Sequence, residues 1–110
     1  MSRWMEAAKT GEVPEGEARK IVLDRVEIAL ANLGEGTFLA VDDVCSHAES
    51  SLSEGEVDPD FETIECPRHG STFDLRTGNP KTLPATLPVV TWPVKVEGDT
   101  VMIDMDREEG

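Results

Sequence analysis

Basic residues are scarce in this chain: ten lysines and arginines stand against 23 aspartates and glutamates, a formal charge of -13 over 110 residues. The excess of acid is spread almost evenly over the two halves, which argues against nucleic acid and anionic membrane surfaces as partners. Long apolar runs are missing too. The opening MSRWMEAAKTGEVPEGEARK has no hydrophobic stretch of the signal-peptide kind, and no window approaches the ~20 apolar residues of a spanning helix. A soluble, cytoplasmic protein is expected. Cysteine and histidine occur twice each, and tyrosine is absent. Two cysteines cannot form the disulfide framework of a small secreted domain; in a reducing compartment they more often ligate metal, catalyse or fill a core.

What is present suits one core. With 38% apolar residues the chain has material for a single domain over residues 1–110, and it carries no internal repeat, low-complexity tract or long linker. The local signals are those of short strands. Ile21, Val22 and Leu23 are apolar, and Asp24-Arg25 can turn the chain. Val26, Ile28 and Leu30 then alternate with Glu27, Ala29 and Ala31, as in a half-buried strand. GEG at 34–36 breaks that run and TFLAV at 37–41 returns, so residues 26–41 read as a hairpin. A second hairpin follows Pro93: Val94 and Val96 alternate with Lys95 and Glu97, GD turns, and Val101 and Ile103 alternate with Met102 and Asp104. Phe38 and Trp92 read as core residues. The helical signal is confined to a short turn near residues 4–9. The expected class is all-β, an antiparallel sandwich or barrel.

Between the hairpins, from Asp42 to about Pro88, lies a loop-rich segment of Gly, Pro, Ser and acidic residues that holds every cysteine and histidine of the chain: Cys45, His47, Cys66 and His69. A loop so long in a small domain exists for function or is disordered. The spacing is C-x-H-x18-C-x2-H, two tight turns that each present one thiol and one imidazole, with Gly70 after the last. Three chemistries compete for it. A tetrahedral zinc site takes two thiolates and two imidazoles but normally pairs like ligands at short spacing. A cysteine nucleophile with a histidine base leaves the second pair without a role. A Rieske [2Fe-2S] cluster, with two thiolates on one iron and two imidazoles on the other, uses all four.

The stretches CSHAESSLSEGEV and ECPRHGSTFDLRTGNP resemble the two cluster loops of Rieske ferredoxins, especially the ferredoxin components of bacterial ring-hydroxylating dioxygenases, and LPATLPVVTWPVKVEGDTVMIDM resembles that family's C-terminal segment. The resemblance implies an antiparallel β-sandwich base with a small cluster-binding subdomain over about residues 43–82. It implies one Rieske [2Fe-2S] cluster, with Cys45 and Cys66 on the inner iron and His47 and His69 on the outer. By the same resemblance the chain is no enzyme: it carries one electron from a flavoprotein reductase to a terminal non-haem iron oxygenase. The mononuclear iron of the oxygenase itself needs further histidines that this chain lacks. The alternatives to set beside this are a Rieske ferredoxin serving iron-sulfur assembly or another redox system, and a zinc-stabilised interaction module.

Two departures from the high-potential respiratory relatives bear on redox poise. Where those place a serine and a tyrosine that donate hydrogen bonds to the cluster, this chain has Ser71 and Phe73; where they place two further cysteines, it has Ser50 and Arg68. The expected midpoint is therefore low in the Rieske range, about -150 mV. Nine acidic residues and no lysine or arginine occupy 42–65, which would steer a basic partner or serve only as a solvated surface. Arg68, the only lysine or arginine between Asp42 and Leu75, lies between Cys66 and His69. Pro80, Pro84 and Pro88 resemble the family's cluster-covering segment, although ordinary turn chemistry explains them nearly as well.

Overall fold

The computed structural model describes residues 2–44, 50–68, 70–82 and 87–106. They form ten strands in three antiparallel sheets, with no α-helix among the described residues. In chain order the strands are β1 (Trp4–Lys9), β2 (Ala18–Leu23), β3 (Val26–Gly34), β4 (Thr37–Asp42), β5 (Val57–Asp58), β6 (Thr63–Glu65), β7 (Thr72–Asp74), β8 (Thr91–Trp92), β9 (Val94–Glu97) and β10 (Thr100–Asp104). The sheets run β1-β10-β9, β2-β3-β4-β8 and β5-β6-β7.

The turns explain the pairing. Asp24 and Arg25 both take positive φ, 51° and 68°, as a two-residue type I′ hairpin requires, and this sets Leu23 opposite Val26. Gly98 takes φ 65° in the equally short turn that sets Glu97 opposite Thr100. Pro93 lies between β8 and β9, where the chain leaves the second sheet for the first, and a missing N–H disturbs neither ladder.

Two cores follow from the period of two along β3 and β4. Ile28, Leu30, Phe38 and Ala40 face the first sheet and pack with Ala8, Val13, Val101, Ile103 and Met105. Ala29, Ala31 and Val41 face the opposite way and pack with Leu52, Ile64, Cys66, Phe73, Leu75 and Val89 beside the third sheet. The middle sheet is thus covered on both sides.

That arrangement corrects four expectations. The apolar residues are divided between two cores, one on each face of the middle sheet, and not gathered into one. β3 is not half-buried: Ala29 and Ala31 are fully inaccessible, because the alanine face is roofed by the β5–β7 sheet and its small side chains let that sheet come close. Residues 4–9 are no helical turn but strand β1, recruited by the edge of β10, with Trp4 opposite Asp104 and a bulge between Glu6 and Ala8. A single 3-10 turn at Thr10–Glu12 follows it. The segment between the hairpins is not all loop either, since it contributes β5, β6 and β7. Phe38 is core as expected, while Trp92 is half-buried and its Nε1 donates to Asp42 Oδ1 at 2.8 Å.

Candidate metal centre

Cys66 directly follows β6 and is fully buried within the core that the second and third sheets share. Its N–H donates to Ser71 O at 2.7 Å and its carbonyl accepts from Gly70 N at 2.9 Å, so Cys66 is drawn tightly onto Gly70 and Ser71. Gly70 takes φ 75°, the left-handed conformation that a tight turn needs and that side chains resist. Pro67, Arg68 and Gly70 are exposed. The turn therefore has a buried root and a solvent-facing rim. Beneath it lie the fully buried Ser71 and Phe73, the latter paired with Ile64 and bridged to Pro80.

The chain that follows is laced back onto β7. Lys81 N donates to Thr72 O at 2.7 Å and Thr72 N to Thr82 Oγ1 at 2.8 Å, so residues 80–82 run alongside β7 next to the turn. The Asp74 carboxylate accepts from Arg76 N and Thr77 N, and Gly78 packs so tightly on Val89 that a Cβ there would overlap the Val89 carbonyl. Gly55 meets the Glu65 carbonyl in the same way. Arg76 adds a two-pronged clamp on Glu62, Nε to Oε1 at 2.7 Å and Nη2 to Oε2 at 2.8 Å. The guanidinium's hydrogen bond holds the Glu62 carboxyl below its ordinary range, and Glu62 in turn raises Arg76.

The other loop leaves β4 at Asp43. Asp43 O accepts from Leu52 N at 2.6 Å and Val44 bridges Ser51, closing a neck across residues 45–50. Asp43 itself is fully buried beside Lys20, whose ammonium is held above its ordinary range chiefly by a hydrogen bond to Glu27.

Of the four expected ligands, Cys66 stands at the root of the second turn, whereas Cys45, His47 and His69 lie outside the described residues, as does Pro84. Sequence reasoning missed Asp43, Lys20, the Glu62–Arg76 clamp and the two close-packed glycines. Only the place of Asp43, one residue before the Val44-Cys45 pair, could have marked it; Glu62 and Arg76 are fourteen positions apart and meet only through the fold.

An all-β fold whose third, small sheet leads into a buried cysteine on a tight glycine-closed turn is a scaffold able to root a prosthetic group there. A family model described as Rieske [2Fe-2S] domain matches residues 3–93. The chain is 48% identical over 103 residues, 94% of each chain, to the 3-phenylpropionate/cinnamic acid dioxygenase ferredoxin subunit of Shigella boydii serotype 4 (strain Sb227). Among solved structures it matches the ferredoxin of carbazole 1,9a-dioxygenase from Nocardioides aromaticivorans IC177 with a TM-score of 0.87 at 31% identity, covering 93% of this chain and 97% of that one. A complex of reduced oxygenase and oxidised ferredoxin in carbazole 1,9a-dioxygenase matches with a TM-score of 0.84 at 30% identity, over 97% of each chain. This chain belongs to the Rieske [2Fe-2S] domain family. Its cofactor is one Rieske-type [2Fe-2S] cluster, which decides among the three chemistries that the ligand spacing left open.

The residues present fit that group. The chain's two thiols and two imidazoles match the composition of a Rieske donor set, and Cys66, the one of the four among the described residues, stands in a buried, close-packed floor.

Proposed function

We propose that this chain is the ferredoxin component of a multicomponent ring-hydroxylating dioxygenase system, a cytoplasmic carrier that takes one electron at a time from a flavoprotein reductase and delivers it to a terminal non-haem iron oxygenase. The observation that carries the reading is the end-to-end identity of 48% with a dioxygenase ferredoxin subunit, over 94% of both chains. Among the described residues, no helix is long and apolar enough to cross a membrane.

Cys45 and Cys66 would hold one iron and His47 and His69 the other, within a cluster-binding subdomain over about residues 43–82 of one Rieske domain. When bound, the cluster supplies a reversible one-electron couple, placed well above all-cysteine clusters because neutral imidazoles replace two anionic thiolates. The protein's part is geometric. Cys66 roots the site in the core and keeps water from it, while the exposure of Arg68 and Gly70 on either side of His69 supports an imidazole edge at the contact with a partner. Phe73 offers no hydroxyl toward the site, which supports a low midpoint of about -150 mV.

The deciding test pairs a visible spectrum of the isolated protein with an EPR spectrum after dithionite reduction, then mixes it with NADH and a ring-hydroxylating-system reductase. A rhombic signal with average g near 1.9, about two irons and two sulfides per chain, and reduction through the flavoprotein are the expected results. A colourless protein carrying one zinc would overturn the assignment.

A further inference from the structure

Asp43 is fully buried where β4 gives way to the first cluster loop, with only Val44 between it and Cys45. Its Oδ1 accepts from Ser53 N at 2.8 Å, its carbonyl accepts from Leu52 N at 2.6 Å, and its N–H donates to Glu27 O at 3.0 Å on β3. Its Oδ2 is buried with no hydrogen-bond partner among the described residues. The ammonium that faces it, Lys20 Nζ on edge strand β2, stands 3.6 Å away and is shared with Glu27 Oε1 at 3.1 Å. The Lys20 side chain is also 41% exposed, so water screens part of its charge.

A buried carboxylate with one backbone donor and a shared cation is costly. The neck of the loop gives no reason for the charge, because an asparagine carbonyl would accept from Ser53 N equally well. The position does give one: a fixed charge in this poorly screened interior acts on anything the adjacent loops hold.

We propose that Asp43 is a charge-setting residue for the redox centre, its carboxylate disfavouring the added electron and Lys20 offsetting part of that effect. The proposal rests on the Rieske reading above. The step it modulates adds one electron, donated by the flavoprotein reductase, and no bond is made or broken.

The test is a one-electron spectroelectrochemical titration of the intact holoprotein and two variants, at low salt and in 1 M salt. Asp43→Asn should move the reduced-to-oxidised ratio at fixed potential about tenfold toward reduced, a midpoint rise of about 59 mV for a one-electron couple. Lys20→Gln should move it the other way by about threefold, less because the ammonium is half in water. The Asp43→Asn shift should persist in 1 M salt while the Lys20→Gln shift shrinks.

An unchanged midpoint in Asp43→Asn, with visible and EPR spectra like the parent's, would overturn the proposal and leave the Rieske reading standing. If Asp43→Asn fails to retain its cluster, Lys20→Gln decides: a lowered midpoint supports the proposal, and an unchanged or raised one sinks it. A parent protein that holds zinc and has no visible band overturns both together.

Discussion

In the base, β2, β3 and β4 run six to nine residues each, the hairpins turn on two residues, and Ile28, Leu30, Val101 and Ile103 form a core with no accessible surface. In the cluster sheet, β5, β6 and β7 run two or three residues and are held by turns, close backbone approaches at Gly55 and Gly78, and the Glu62–Arg76 clamp. The first region has enough pairing and apolar burial to stand unaided. The second lacks the strand length that an independent sheet needs, so it leans on the alanine face of β3 and on whatever ties its two loops together. Metal ligation is therefore expected to support the second region directly and the first only through the alanine face that they share.

Removing a ligand breaks that comparison most sharply. Cys66→Ala, or His47→Ala or His69→Ala, should abolish the visible bands and the EPR signal, and amide exchange should show β5–β7 losing protection while β3 and β10 keep theirs. If β3 loses protection as well, base and cluster sheet are a single cooperative unit. The converse experiment strikes the base: Ile103→Ala leaves a cavity in a fully buried site and should cost about 2–5 kcal/mol by denaturant titration. The cluster spectrum should survive in the fraction that remains folded.

A smaller effect is expected at the seam between the two regions. Gly78→Ala puts a methyl group into the Val89 carbonyl and asks a side chain to adopt φ 79°, so it should lower stability by about 2 kcal/mol. Its signature should be faster bleaching of the visible bands on mild heating, ahead of any change in far-UV circular dichroism. Simultaneous loss of both signals would place Gly78 in the global fold rather than at the seam.

How far the sequence was legible divides along the same line. The base was read closely, because alternation and two-residue turns are local: Asp24-Arg25, the break at 34–36 and the β9–β10 hairpin all stand where periodicity puts them. The ligand spacing C-x-H-x18-C-x2-H carried the cofactor. What periodicity could not carry is which face is covered from outside. Ala29 and Ala31 look like the solvent side of a half-buried strand until a third sheet roofs them. β1 was missed because its pairing partner, β10, lies nearly the whole chain away. Asp104 was read as a solvent-side strand residue, yet it is buried, its Oδ1 accepting from Arg3 N at 2.8 Å and Asp106 N at 2.9 Å.

That carboxylate and Glu62 give the finest comparison, one in each region. Asp104 is held below the ordinary carboxylate range chiefly by the Arg3 N–H and then by that of Asp106; Glu62 is held low chiefly by its hydrogen bond to Arg76. Both folded-state values lie below the unfolded ones, so each contribution is fully present above about pH 4 and is lost as pH falls through the lowered folded value. Asp104→Asn should therefore flatten the acid limb of the base's melting temperature plotted against pH, alike at low and high salt, because backbone donors are barely screened. Glu62→Gln should leave that limb alone and alter only the acid bleaching of the visible bands, by an amount that shrinks in 1 M salt, since Glu62 and Arg76 are both open to solvent. Melting curves and visible absorbance recorded together from pH 2.5 to 6 would check both. A salt-dependent acid limb in Asp104→Asn, or a shifted global melt in Glu62→Gln, would mean that charge couples the two regions more tightly than their separate cores imply.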